Sequence, residues 1–326
     1  MRDMPSASSR RSWQPAISVV VPAHNEAGSL DLFHQRLARS LSGIENWEVV
    51  YIDDGSTDAT LAAIESLRRT DDRVALVSLS RNFGKEIAIT AGLDHAAGDA
   101  VVVIDADLQD PPEVIPDLIA QWRAGFDMVY AKRRSRTGDS WLKRGTARGF
   151  YRLMQRMGDL KLPEDTGDFR LMSRRVVDAV RQLREQHRFM KGLFAWVGYP
   201  TTYVTYDRQP RCAGVSKWSY WKLWNLALEG ITSFTVMPLK LATYVGLAVA
   251  LLSVIYAAQV IVKTLIIGNP VAGYPSLMTV VLFLGGIQLM FLGVIGEYLG
   301  RVFNETKQRP LYLVERYVPS SVKVSV

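Results

Sequence analysis

The chain has 326 residues, one cysteine, 48% hydrophobic residues and a formal net charge of +7 at pH 7. A lone cysteine excludes an intrachain disulfide and a cysteine-rich zinc site, and the length holds one large domain or two smaller ones. The basic balance points to an anionic partner: nucleic acid, a phosphorylated ligand or acidic lipid.

Residues 1–15 are polar and basic with no long apolar segment behind them, so they read as a disordered tail rather than a signal peptide. Apolar runs then alternate with helical periodicity. Strands are expected at 17–21, 49–52, 74–79, 101–104 and 128–130, and helices at 30–41, 59–69, 85–97 and 113–124. This βαβα order argues an α/β domain with a mostly parallel sheet and helices on both faces. In such sheets ligands gather beyond the carboxyl ends of the strands, and three polar segments stand there.

The first strand runs into Pro22-Ala23-His24-Asn25-Glu26 and the second into Asp53-Asp54-Gly55-Ser56-Thr57-Asp58. The fourth ends in Asp105-Ala106-Asp107-Leu108-Gln109-Asp110-Pro111-Pro112-Glu113. Asp105 and Asp107 are spaced to grip a hard divalent cation while leaving positions to phosphate oxygens. No dinucleotide fingerprint or P-loop occurs, and acidic or amide-bearing strand ends suit a ribonucleoside diphosphate. Ser56 or Asp58 also serves as a helix cap, and His24 reads as a packing or hydrogen-bonding residue rather than a metal ligand.

From 141 to 157 the arginines 144, 148, 152 and 156 fall four apart, opposite a stripe of Ala147, Phe150, Met154 and Met157. This basic amphipathic helix suits a headgroup region. Trp218, Trp221 and Trp224 with Trp141 are half of the eight tryptophans, which marks 216–236 as an interfacial aromatic helix; nucleic-acid binding is the poorer account.

Residues 241–262 carry no charge, nor do 276–296, and each is long enough to cross about 30 Å of hydrocarbon. Gly268, Asn269, Pro270, Gly273 and Pro275 make a turn between them, giving a transmembrane hairpin within 237–300. Arg301, Lys307, Arg309 and Arg316 follow, so 301–326 is expected to be a cytoplasmic tail, with the catalytic domain and both termini cytoplasmic. Gly286, Gly293, Gly296 and Gly300 would let another helix approach closely, within the hairpin or in a homo-oligomer. Glu297 is expected to snorkel to the interface.

The three strand-end segments, together with Thr166-Gly167-Asp168-Phe169-Arg170 and the hairpin, resemble family 2 glycosyltransferases of GT-A fold. The chain is most similar to the polyprenyl-phosphate glycosyltransferases, in particular the bacterial undecaprenyl-phosphate glucosyltransferases, and next to dolichyl-phosphate mannose synthases. The resemblance spans nearly the whole chain, with the catalytic domain at 16–215. It implies a nucleotide-sugar donor, Mg²⁺ or Mn²⁺, and a polyprenyl phosphate acceptor at the bacterial inner membrane. By resemblance Asp105, Asp107 and Asp168 are catalytic, and Asp105, Asp107 and Gln109 hold the metal. The donor would meet Pro22, Ala23, Asn25, Glu26, Asp53 or Asp54, Lys85 and Ala106. Arg211 and Lys217, in a stretch ending Ser216-Lys217-Trp218, would close over its diphosphate.

Arg170 and Arg174 are expected to hold the lipid phosphate, with Arg152 and Arg156 guiding it in. A phosphate monoester is largely dianionic at pH 7, since its second pKa is about 6, so in-line inverting attack needs little general base. Asp168 then orients the acceptor or sugar hydroxyls, or serves as the base. UDP-glucose is the donor favoured by resemblance, GDP-mannose the alternative, and a catalytically silent nucleotide-sugar-binding membrane protein the non-enzymatic one.

Overall fold

A computed structural model of the chain describes residues 16–134, 166–207, 237–267 and 273–322. The disordered tail expected at 1–15, the basic helix at 141–157 and the aromatic helix at 216–236 lie outside the described residues. The chain divides into two units, one holding the sheet together with the residues from Pro310 onward, the other holding two long helices.

The sheet begins with β1 (Ile17–Ala23), β2 (Trp47–Asp53), β3 (Val74–Leu79) and β4 (Ala100–Val103), alternating with α1 (Leu30–Ser40), α2 (Thr60–Thr70) and α3 (Lys85–His95). These four strands pair in parallel in the order β4-β1-β2-β3, with Val19 opposite Val49 and Val20 opposite Val103. All but Pro22 of their residues are buried, which is why they appear as continuous apolar runs rather than alternating ones. Phe33 and Leu37 of α1 share a core with Val19, Val21, Trp47 and Tyr51. Side chains alternate along a strand, so Val20 and Ile52 face the opposite layer, where α3 lies with Gly92 against both. Helices therefore cover both faces.

A 3₁₀ turn (Pro112–Val114) and α4 (Ile115–Arg123) lead to β5 (Met128–Arg133); β6 (Thr166–Ser173), α5 (Arg174–Gln182), α6 (Met190–Trp196) and β7 (Thr201–Tyr206) follow. The full order is β7-β5-β6-β4-β1-β2-β3-β8. β6 runs antiparallel between β4 and β5, so the sheet is mixed beyond its parallel centre.

The second unit consists of α7 (Met237–Ile267) and α8 (Tyr274–Thr306), extending beyond the expected spans at both ends. Each is long and apolar enough to cross a membrane. The residues beyond, read from the sequence as a tail, include a strand that the sequence did not announce. β8 (Val314–Val318) pairs antiparallel with β3, Ser78 opposite Arg316. The Tyr312 hydroxyl donates to Asp94 at 2.8 Å, and the Ser320 hydroxyl to Glu48 at 2.9 Å. Five residues with two charges among them carry too short an apolar pattern to announce a strand.

Candidate active site

Each polar segment expected at a strand end is held there by its neighbours. Asn25 adopts a left-handed backbone (φ 57°), accepts the Thr57 N–H at 2.8 Å and gives its own N–H to Ser56 Oγ at 3.1 Å. The ends of β1 and β2 are thereby stitched together. His24 Nδ1 lies 2.9 Å from the Asp54 carbonyl, which can only accept, so this nitrogen carries the proton. His24 is a hydrogen-bonding residue, as expected. Asp58 accepts the Thr60 N–H at 2.9 Å, at the start of α2.

Asp53 and Asp54 are both buried and separate in role. Asp54 accepts the N–H groups of Phe83 at 2.7 Å and Gly84 at 2.9 Å, bracing the loop that delivers α3, while Asp53 accepts the Ser56 N–H at 3.3 Å. Gly55 (φ 60°) lies against the backbone of Arg81 and Asn82, leaving no room for a side chain.

The register of β4 and β6 explains the centre of the site. Val103 stands opposite Arg170, and continuing that antiparallel pairing two residues further places Asp168 opposite Asp105. Two carboxylates facing one another need a cation. Lys85, first residue of α3, puts its ammonium 2.7 Å from Asp105 Oδ2 and 2.6 Å from Asp168 Oδ2. The Lys85 side chain is 43% exposed, so this bridge lies in a cleft open to solvent. Beyond it the chain turns through Leu108 (φ 61°), and Asp107 accepts the Gln109 N–H at 3.0 Å. Asp110 is buried, takes the Tyr206 hydroxyl proton in a hydrogen bond and faces Arg133 at 3.7 Å.

Desolvation alone would lower the Lys85 ammonium, but Asp105 and Asp168 outweigh it and hold it well above the ordinary lysine range. Desolvation likewise opposes ionisation of Asp168; Lys85 and then Lys191 overcome it, holding this carboxyl well below the usual range. Asp105 is raised by desolvation and by the charge of Asp168, against the pull of Lys85. Glu86 is pushed up to about 7 by desolvation and by Asp168.

Two expected phosphate ligands are placed elsewhere or otherwise engaged. Arg170 is buried, donates to the carbonyls of Gly167 at 2.8 Å and Asp168 at 3.3 Å, and lies over the Phe194 ring at 4.1 Å. Desolvation lowers it to about 10. Arg174 sits at the far end of β6, beside the amino end of β4, where its guanidinium clamps the carbonyls of Ala96 and Gly98. It is not brought to the cleft. Arg152, Arg156, Arg211 and Lys217 lie outside the described residues. The structure adds Glu86 and Lys191, whose isolated positions on helices carry no motif. The Asp110, Tyr206 and Arg133 cluster lies equally outside the reading of the sequence.

A hard divalent ion of the magnesium class takes one or two carboxylates and completes its shell with substrate phosphate and water. Asp105 and Asp107 provide that donor set at the open end of the sheet, and the desolvation and neighbouring Asp168 charge that raise Asp105 are costs that a bound cation would offset. The residues present therefore fit the ion. Among the described residues no group of three or more His, Cys, Asp or Glu side chains gathers as a metal cage.

Comparison with known proteins supplies the context. The family described as Glycosyl transferase family 2 matches residues 18–181, and the GtrB C-terminal hairpin matches 237–302. A glycosyltransferase of Synechocystis is 54% identical over 91% of this chain and 94% of its own. A SfII prophage-derived bactoprenol glucosyl transferase of Shigella flexneri is 53% identical over 92% of this chain and 97% of its own. Among solved structures, glucosyl-3-phosphoglycerate synthase from Mycobacterium tuberculosis with Mn²⁺, UDP-glucose and phosphoglyceric acid has a TM-score of 0.45 and 22% identity, covering 67% of this chain and 78% of that one.

Proposed function

The chain belongs to glycosyl transferase family 2, and from that premise we propose that it transfers glucose from UDP-glucose to a polyprenyl phosphate, undecaprenyl phosphate in a bacterium, with inversion at the anomeric carbon. The observation that carries this reading is the facing of Asp105 and Asp168 across β4 and β6, bridged by Lys85 at the end of a parallel sheet. The bactoprenol glucosyl transferase relatives support the lipid acceptor, and the match to a C-terminal hairpin supports membrane association.

In this reading the buried Asp53 takes the ribose hydroxyls, since Asp54 is occupied by the Phe83 and Gly84 amides. Asp105 and Asp107 would hold a divalent ion, which would neutralise charge on the departing diphosphate. A phosphate oxygen of the acceptor forms the bond to the anomeric carbon as the bond to the diphosphate breaks, and uridine diphosphate leaves. The attacking group is already an anion, so no side chain has to remove a proton. Asp168, held ionised by Lys85 and Lys191, orients sugar hydroxyls rather than acting as base.

The test is transfer of labelled glucose from UDP-glucose into extractable lipid by purified protein with undecaprenyl phosphate and Mg²⁺ or Mn²⁺. We expect lipid-linked glucose, and with Asp107→Asn a folded protein with transfer reduced about 10²- to 10³-fold. Transfer only from GDP-mannose would replace the donor; near-normal turnover by Asp107→Asn would remove the metal site.

A further inference from the structure

We propose that Tyr206 is a positioning residue: its hydroxyl, clasped between Asp110 and Arg133, fixes the loop that presents Asp105 and Asp107 to a divalent ion. The inference rests on the metal reading above and names what holds that site in place.

Between β4 and the 3₁₀ turn at Pro112–Val114 the carboxylates stand on a turn rather than on a strand or helix. Metal ligands must be held to a fraction of an ångström, so the turn needs its own restraints. Its start is carried by the sheet, through the Ile104 N–H, which donates to the Val20 carbonyl at 3.1 Å. Its middle is anchored by Leu108, whose side chain is buried in the core while its backbone is left-handed (φ 61°). A leucine keeps that conformation only where its surroundings over-determine it. Asp110, two residues on, supplies the restraint. It is buried, accepts the Tyr206 hydroxyl and has Arg133 Nη2 3.7 Å away.

The hydroxyl is placed by a chain of donors. Arg133 Nε donates to the Tyr206 oxygen at 3.2 Å, and that oxygen turns its proton to Asp110. Cation, hydroxyl and carboxylate thus satisfy one another, and a satisfied buried network of this kind rigidifies what it joins. The sheet has no need of it. β5 and β7 pair from Met128 opposite Thr201 to Arg133 opposite Tyr206, and the Arg134 N–H donates to the Tyr206 carbonyl at 2.9 Å. The Tyr206 ring packs edge-on against Phe169, with centroids 5.9 Å apart. Backbone pairing and ring packing would both survive loss of the oxygen. What the oxygen adds is the tie from β7 to the end of the carboxylate loop. Gly167, the residue before Asp168, borders the same clasp: a Cβ there would stand 3.4 Å from Arg133 Nη2 and 3.9 Å from Asp110 Oδ2.

The test compares wild type, Tyr206→Phe, Asp110→Ala and Asp110→Asn in the full-length protein. Mn²⁺ binding in the presence of UDP is measured by electron paramagnetic resonance, transfer is measured against Mn²⁺ concentration, and KM is measured for undecaprenyl phosphate. Partners outside a metal's own ligands govern affinity by a factor of ten or more, so Tyr206→Phe is expected to bind Mn²⁺ about 10-fold more weakly and to need correspondingly more of it for half-maximal transfer. Asp110→Ala should match it, and Asp110→Asn, whose amide oxygen still accepts the hydroxyl, should stay close to wild type. Wild-type Mn²⁺ affinity in Tyr206→Phe would overturn the proposal, whether or not its unfolding temperature falls. A raised KM for undecaprenyl phosphate with unchanged Mn²⁺ affinity would overturn it too, by assigning the clasp to the acceptor through Arg133. Wild-type protein that binds no Mn²⁺ with UDP would instead remove the metal reading on which the proposal stands.

Discussion

Asp105 and Asp168 form a like-charged pair that the fold imposes through strand register and relieves with one lysine. Glu86, the next residue after Lys85, bears the cost of that arrangement. Its carboxyl is raised from 4.5 to about 7, so ionising it weakens the folded state. Its contribution to stability is full below the ordinary glutamate range and is lost as pH rises through about 7. Glu86→Gln keeps an oxygen to accept the Met190 N–H and has no charge to lose. We expect the unfolding temperature of Glu86→Gln to gain on wild type between about pH 5 and about pH 7 and to level off above that, measured by thermal unfolding in detergent. Parallel curves over that window would show that Glu86 is not raised. Asp105 and Asp107 were legible in the sequence because they end an apolar run. Arg174 was misplaced because four residues along a strand span roughly 13 Å. Arg170 at one end of that interval reaches the cleft, while Arg174 at the other faces the opposite edge of the sheet.

Among the elements, α3 joins the chemistry to the rest of the molecule. Its first turn presents Lys85 and Glu86, and its last turn places Asp94 against Arg184, Arg181 and Tyr312. The helix lies close to the sheet because Gly92 has no side chain: a Cβ there would stand 2.7 Å from Ile52 Cδ1 and closer still to Val20. Gly92→Ala improves intrinsic helix propensity and overpacks this contact at once. The second effect dominates, since overpacking costs about 1–3 kcal/mol against about 1 kcal/mol of propensity. We expect a lower unfolding temperature and, because α3 must tilt or shift, a weakened Lys85 bridge with reduced transfer. Unchanged stability would mean that the helix already has slack over Val20. The elements of the parallel centre were legible because each strand holds an unbroken apolar run, Val19–Val21, Val49–Ile52, Val74–Val77 and Ala100–Val103. β6, with Asp168 and Arg170 inside it, and β8, with Glu315 and Arg316, carry polar residues within their runs. Their pairing is decided by the strands already in place rather than by their own pattern.

At the scale of the whole molecule, β8 constrains how the chain can cross a bilayer. The helices α7 and α8, of 31 and 33 residues, are about 46 and 50 Å long at about 1.5 Å per residue, more than the hydrocarbon thickness. Leu247, Leu251, Leu252, Phe283, Leu289 and Leu292 are exposed on them, suited to lipid rather than water. Before α7 the chain builds the sheet, and after α8 it returns to the same sheet as its edge strand β8. The number of crossings between those two points must therefore be even, which two spans satisfy. Arg301, Lys307, Arg309 and Arg316 follow the second helix, and a basic cluster so placed favours the cytoplasmic side. The proposed orientation puts the sheet and β8 in the cytoplasm and the start of α8 outside. With Cys212→Ser removing the native thiol, Gly273→Cys should react with a membrane-impermeant maleimide in intact spheroplasts, while Gln308→Cys should react only after permeabilisation. Labelling of both in intact spheroplasts would refute a buried cytoplasmic end. The reverse pattern would invert the protein and separate the cleft from cytoplasmic nucleotide sugars, which no arrangement of Asp105, Lys85 and Asp168 could make good.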